Sequence, residues 1–513
     1  MHIDARRLEN HSLIEGDLCI VGAGAAGISI ALDWINTPFK VILLEGGGFE
    51  LDPAMQDLYA GKSIGQKYYS LEAVRLHYFG GTTGHWAGYC STYDDIDFEK
   101  RDWVPRSGWP ITKEDLEPYY PKAQQILELG PYEYDLAYWQ KKYPELVPLP
   151  LDNQVIWNKI WQFSPPTRFN TRYRSAIVNA KNIHLYTYAD ATNIEADDTV
   201  RTIRQITVKN LAGKEHTVKA KYFILACCAL QNARLLLASN QQAPKGLGND
   251  HDLVGRHFME HLEVKSGLLQ LPVKSSLRLY MLNFMGLRMR AELSTTAEIQ
   301  KKYQILNGTV SLSPELVASR EKPMIELFPK KAAQSVEMAS SFVKELRAES
   351  KSKANEKQYT SFELFTRMEQ SPNPNSRVTL DTVKDALGMP RIILDWQLTE
   401  QEKRSIRQLY LILGQQIGVS GSGRVQLMEW LRKGDDYSWP DFLGGGWHHM
   451  GTTRMGENPQ TGVVDQNCRV FGIDNLFMGG SSCFSTAGSA NPTLTLTALV
   501  LRLSDFLKHK FLK

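Results

Sequence analysis

The segment Asp17-Leu18-Cys19-Ile20-Val21 runs directly into Gly22-Ala23-Gly24-Ala25-Ala26-Gly27, and an apolar segment with helical spacing, residues 28–34, follows. A strand-length apolar run, a glycine turn and a helix start in immediate succession leave few folds open to the chain. Gly22 allows the tight turn, Gly24 lets the backbone approach a pyrophosphate, and Gly27 lets the helix pack on the strand, with the diphosphate at the positive end of the helix dipole. A second run, Val41 to Leu44, ends at Glu45, where an acidic side chain can accept from ribose hydroxyls. The expectation is an α/β chain with a Rossmann-like, dinucleotide-binding domain. A glycine turn without ligand is the bland alternative, and the pattern does not separate FAD from NAD.

The remaining segments give the organisation. Tyr222 to Ala226 reads as a buried strand and Ala229 to Asn240 as a helix. A strand-helix unit returning so late makes the nucleotide domain discontinuous: residues 1–264, a second, sheet-containing substrate domain over 265–440, and a return over 441–513. Strands are expected at 183–188, 200–209, 308–312 and 377–380, with strand-like pieces at 463–465, 468–472 and 475–480. Helices are expected at 116–129, behind a cap at Thr112 to Asp115, and at 493–508. Residues 131–170, rich in Tyr, Trp and Pro, read as packed loops. Lys344 to Lys357, dense in Lys and Glu, reads as a solvated helix or mobile loop, with a docking surface for a redox partner as the rival.

Composition narrows the partners. With 59 basic and 56 acidic residues the net charge is only +3, so neither nucleic acid nor an anionic membrane is indicated and a small molecule is the default. Six cysteines without a C-x-x-C pair suggest neither a metal site nor a disulfide framework. The N-terminal stretch Met1 to Asn10 has no apolar run of signal-peptide length and no 18-residue apolar segment occurs, so the chain alone is expected to be cytoplasmic, and periplasmic only if a partner subunit exports it.

Two further stretches suggest chemistry. Phe79-Gly80-Gly81-Thr82-Thr83-Gly84-His85-Trp86 offers backbone N–H groups to an anion or a flavin edge. Trp447-His448-His449-Met450-Gly451-Thr452, followed by Ser489-Ala490-Asn491-Pro492-Thr493, brings a His and an Asn in glycine-rich settings. Oxidising an alcohol needs a base for the hydroxyl proton while hydride leaves carbon. An imidazole suits that task near neutral pH, and an uncharged amide can hold the same oxygen without competing for the proton.

These residues, with Leu253-Val254-Gly255-Arg256-His257 between them, resemble the glucose-methanol-choline (GMC) oxidoreductase family, and the motifs occur in family order. The resemblance implies FAD, a substrate domain built on a second sheet, as in p-hydroxybenzoate hydroxylase-like folds, and oxidation of a carbinol by hydride transfer to flavin N5. It makes His448 the base, Asn491 the second catalytic position, Glu45 the ribose acid, Gly80, Gly81 and Thr82 a flavin-facing loop, and Ala191 an adenine contact. Gly22, Gly24, Gly27, Asn491 and Thr493 complete the cofactor positions. Gly480 stands where many members carry Asp, similar to the pyranose 2-oxidase and bacterial sugar dehydrogenase branch. That branch also carries a flavin-linked His in the position of His85, so a covalent link is possible here though not favoured.

The implied activity is oxidation of a secondary alcohol of a sugar, glycoside or cyclitol, by a dehydrogenase rather than an oxidase, with a quinone, cytochrome or small subunit as acceptor. A primary alcohol, polyol or sterol substrate, or a non-redox lyase, are the alternatives.

Overall fold

The computed structural model describes residues 1–281, 288–315 and 358–512. The segment from Lys344 to Lys357 lies outside the described residues.

The first apolar runs form the middle of a six-stranded sheet. Its order is His2–Asp4, Ile183–Thr187, Val41–Leu44, Leu18–Val21, Tyr222–Leu225, Leu476–Met478, and every pairing is parallel. Leu18–Val21 and Val41–Leu44 are buried at every residue, as the core of a sheet covered on both faces requires. From Leu18–Val21 the chain passes first to one side, at Val41–Leu44, and returns on the other at Tyr222–Leu225. This reversal opens a crevice beyond the carboxyl ends of the strands, where ligands bind in folds of this type.

Two helices cover the sheet beside that crevice. Ala25–Trp34 starts directly from the glycine turn, and Pro492–Phe511 packs along it, with Trp34 Nε1 donating to Ser504 Oγ at 2.9 Å. The close fit at the turn explains Gly27: a Cβ there would stand 1.9 Å from the carbonyl oxygen of Gly22. Among the described residues, no helix is long and apolar enough to cross a membrane.

A second, eight-stranded antiparallel sheet lies beyond the crevice. Its strands are Tyr89–Cys90, Ile156–Phe163, Leu262–Ser275, Met289–Thr295, Gly308–Pro314, Tyr359–Met368, Arg424–Leu427 and Gly444–Gly445. The 20-residue helix Glu400–Val419, with Thr399 and Glu402 forming a capping box, packs on it through Tyr410. Strands from residues 89–90 and 156–163 belong to this sheet, so the chain enters it well before residue 264.

Several local expectations are corrected. Residues 131–170 are not only loops. They contain the helix Leu136–Lys142 and the strand Ile156–Phe163, whose buried Asn158, Lys159 and Gln162 interrupt the apolar run by which a strand is recognised. The helix expected over 116–129 is confined to Tyr120–Ile126, because Pro118 and Pro121 remove N–H donors from its first turns. Of the three pieces expected between 463 and 480 only Leu476–Met478 is a strand, the others making isolated bridges.

One buried ion pair clamps the loop after residue 98 to the second sheet. Arg101 meets Glu369 through two hydrogen bonds of 2.6 and 2.8 Å, and both side chains are fully buried. Replacing Glu369 by Ala strands a buried guanidinium, and denaturant unfolding of the variant should show a loss of about 3–5 kcal/mol.

Candidate active site

One extended cavity follows the crevice. It is bordered by Gly22, Gly24, Glu45, Gly81, Thr82, His85, Ala191, Gly480, Asn491 and Thr493, and, toward the second sheet, by His448. Gly27 and Gly80 stand behind this wall. Gly27 is inside the first helix, and Gly80 N–H donates to Ala23 O at 2.7 Å, which docks one glycine-rich loop on the other.

The cradle fits a dinucleotide. Gly22 adopts φ 101°, a conformation that costs other residues, and a Cβ at Gly24 would meet nothing within 4 Å, so the backbone there faces open space. The helix Ala25–Trp34 has no side-chain cap, which leaves its first N–H groups directed at the cavity. Glu45 is buried and accepts from Ala23 N at 2.9 Å and Gly47 N at 3.1 Å, one bond per oxygen, so each oxygen keeps a lone pair. Along the same wall Asp190 Oδ2, Gln231 Oε1, Asn491 Oδ1 and both ring nitrogens of His85 are buried without a partner. Buried polar atoms left this way cost free energy unless a ligand satisfies them.

The loop carrying His448 is held by residues that the sequence reading missed. Glu260 Oε1 accepts from the backbone N–H of His448 at 2.7 Å and of His261 at 2.9 Å, while Oε2 accepts from Tyr68 O–H at 2.5 Å. Burial pushes this carboxyl up to about 7. The grip holds Trp447, immediately before His448, at φ 62°, a left-handed conformation that few side chains adopt. His449 turns to Tyr68, its Nε2 lying 2.9 Å from the hydroxyl.

His261 sets the proton on His448. Its Nε2 lies 3.1 Å from Ala487 O and 3.0 Å from Gly488 O; carbonyls only accept, so Nε2 carries hydrogen. Burial and Arg367 push the ring down to about 3, which leaves it neutral and its Nδ1 bare. That Nδ1 lies 2.9 Å from His448 Nδ1, which must therefore be the donor. Burial first, with the charge of Arg367 adding to it, holds His448 well below the usual 6.5, so it too is neutral. The network assigns its only bare nitrogen to Nε2, in a residue that borders the cavity.

Asn491 borders the same cavity. It occupies the N-cap of Pro492–Phe511 yet makes no capping hydrogen bond, so its amide is free for another partner. A bare imidazole nitrogen and a free carboxamide on one cavity can together hold a hydroxyl and remove its proton. No signal in the sequence marks His261, Glu260 or Tyr68, because their roles arise only where the start of the strand Leu262–Ser275 meets Gly444–Gly445, with Leu262 opposite Gly445.

Residues 372–499 match a family described as GMC oxidoreductase. The 2-methyl-1,2-propanediol dehydrogenase of Mycolicibacterium austroafricanum is 24% identical, over 96% of this chain and 95% of its own length. The fructose dehydrogenase large subunit of Gluconobacter japonicus is 23% identical, over 83% of this chain and 79% of its own. A formate oxidase structure superposes with a TM-score of 0.60 at 16% identity, covering 98% of this chain and 99% of its own, a likeness that shows the fold.

Proposed function

The chain is a GMC oxidoreductase, and from that premise we propose that it uses FAD, which supplies the hydride acceptor at flavin N5, to oxidise a secondary alcohol of a sugar, glycoside or cyclitol to a ketone. The observation that carries this reading is the His448–His261 pair, which leaves a bare Nε2 on the same cavity as Asn491. His448 takes the hydroxyl proton and Asn491 fixes the oxygen, so that the carbinol hydrogen is aligned before it leaves. Glu45 would hold the ribose, the N-terminus of Ala25–Trp34 the diphosphate, and Ala191 would lie at the adenine.

His85 would lie against the cofactor with both ring nitrogens available. Acid precipitation of the protein reads whether that contact is a covalent bond, by a yellow or a colourless pellet.

Two of the similar proteins are named dehydrogenases, which supports an acceptor other than oxygen: a quinone, a cytochrome or a small subunit. Dye reduction should exceed hydrogen peroxide formation. The diol named for one of them favours polyols as a second substrate class. Anaerobic mixing of the yellow protein with free sugars, glycosides, cyclitols and simple alcohols tests the proposal: at least one polyhydroxy compound bleaches the flavin, and none doing so would overturn it.

The reaction should tolerate mild acid. His448 works as a base only while deprotonated, and its pKa is held well below 6.5. Lowering a base's pKa extends its working range to lower pH, so the rate of flavin reduction should stay level from pH 8 down through pH 6 and fall only below. A half-maximal rate near 6.5 would show a solvated His instead.

A further inference from the structure

The end of the cavity beside His448 is bordered by Glu263 and Arg367. They face each other on paired strands, and Arg367 Nε donates to Glu263 Oε1 at 2.9 Å. The same guanidinium lies 3.5 Å from Glu292 and 4.8 Å over the ring of Trp161. Glu292 is in turn held by Arg290 and by the hydroxyl of Thr309 at 2.6 Å. Two carboxylates and two guanidiniums thus balance on this face of the sheet, which makes the end of the cavity polar without giving it a net charge.

Of the two carboxylates, Glu263 is the one that borders the cavity: its side chain is 20% exposed, against 1% for Glu292. Among the described residues only its Oε1 is engaged. It is also close to the base. The point a Cβ would occupy at Gly446 lies 2.5 Å from His448 Nδ1 and 3.2 Å from Glu263 Oε1, so the carboxylate and the imidazole share one wall with only a glycine between them.

We propose that Glu263, oriented by Arg367, accepts a hydrogen bond from a second hydroxyl of the substrate, and that the site therefore selects neutral compounds with hydroxyls on neighbouring carbons over monohydric alcohols. A carboxylate only accepts, so the group it meets must be a donor. Arg367 already supplies its counter-charge, which removes the need for a cationic substrate. A monohydric alcohol would cover the carboxylate and leave its free lone pairs unsatisfied, the situation in which a polar site discriminates most strongly. The inference deepens the reading above and takes His448 as the base.

Cyclohexane-1,2-diol and cyclohexanol share one ring and one kind of reacting carbon, so anaerobic flavin reduction by each isolates the second hydroxyl. The wild-type protein should favour the diol by about 100-fold in kcat/KM. E263Q keeps the volume and an acceptor but loses the charge, and should reduce that ratio by roughly 10-fold, chiefly through substrate affinity; E263L should abolish it. Equal efficiency with both alcohols in the wild type, or an unchanged ratio in FAD-loaded E263Q, overturns the role of Glu263. Failure of every alcohol and sugar to bleach the wild-type flavin would instead overturn the proposed function, before Glu263 is reached.

Discussion

Replacing His448 by Ala should slow anaerobic reduction of the bound flavin by 10²- to 10⁴-fold while leaving the protein yellow, because the base contributes to the chemical step and not to holding the cofactor. The cradle is built from other residues: the glycine turn, Glu45 and the uncapped start of Ala25–Trp34 all lie on the nucleotide sheet. Loss of rate with FAD retained is therefore the expected combination. Rapid mixing with a sugar or diol that bleaches the wild-type protein measures it. A variant that keeps both its FAD and its wild-type reduction rate removes His448 from the mechanism.

The second large effect belongs to His261, which is a positioning residue. Without its bare Nδ1, nothing at 2.9 Å accepts from His448 Nδ1, and the proton is free to move to Nε2, where it blocks the base. H261L should lower the reduction rate by about 100-fold, and H261Q, whose amide oxygen can accept from His448, should recover part of it. Substitution also leaves Ala487 O and Gly488 O without their donor, so a lower rate alone would not separate positioning from packing. The pH profile does. Neutral His261, accepting from His448 Nδ1, bonds the imidazolium more strongly than the neutral ring, so its removal lowers the pKa of His448 and the acid limb of the profile should move to lower pH in H261L. A slower variant with an unmoved acid limb and no rescue by Gln would make His261 structural only.

The parts of this molecule that the sequence makes legible are local. The turn at Gly22 to Gly27 declares itself because strand, turn and helix are contiguous and the close approach between Gly27 and Gly22 O occurs within six residues. Val41–Leu44 and Tyr222–Leu225 are readable for a similar reason: strands buried on both faces are uninterrupted apolar runs. The strand Ile156–Phe163 is equally buried and was hidden, since Lys159 pairs with Asp94 at 2.6 Å, Gln162 donates to the carbonyls of Pro131 and Glu133, and Asn158 accepts from Tyr280. Satisfied buried polar groups look like loop residues until their partners are known.

The site divides along the same line. His448 and Asn491 sit in glycine-rich stretches that invite attention, and their meeting at one cavity follows from the two sheets facing each other across the crevice. What would suit His448 to the proposed role of base is not in its own stretch. It depends on His261 and Glu260, 187 and 188 residues away in the chain, and on carbonyls at Ala487 and Gly488 that dictate a tautomer. Proton positions follow from partners, and partners of that sequence separation are visible only in the fold.

The most direct test is a crystal structure of the FAD-loaded protein with an alcohol substrate or its ketone bound under anaerobic conditions. The account predicts the substrate oxygen within hydrogen-bond distance of both His448 Nε2 and the Asn491 amide, beside the flavin. An oxygen held by other groups, with His448 Nε2 turned to a protein partner, would contradict it.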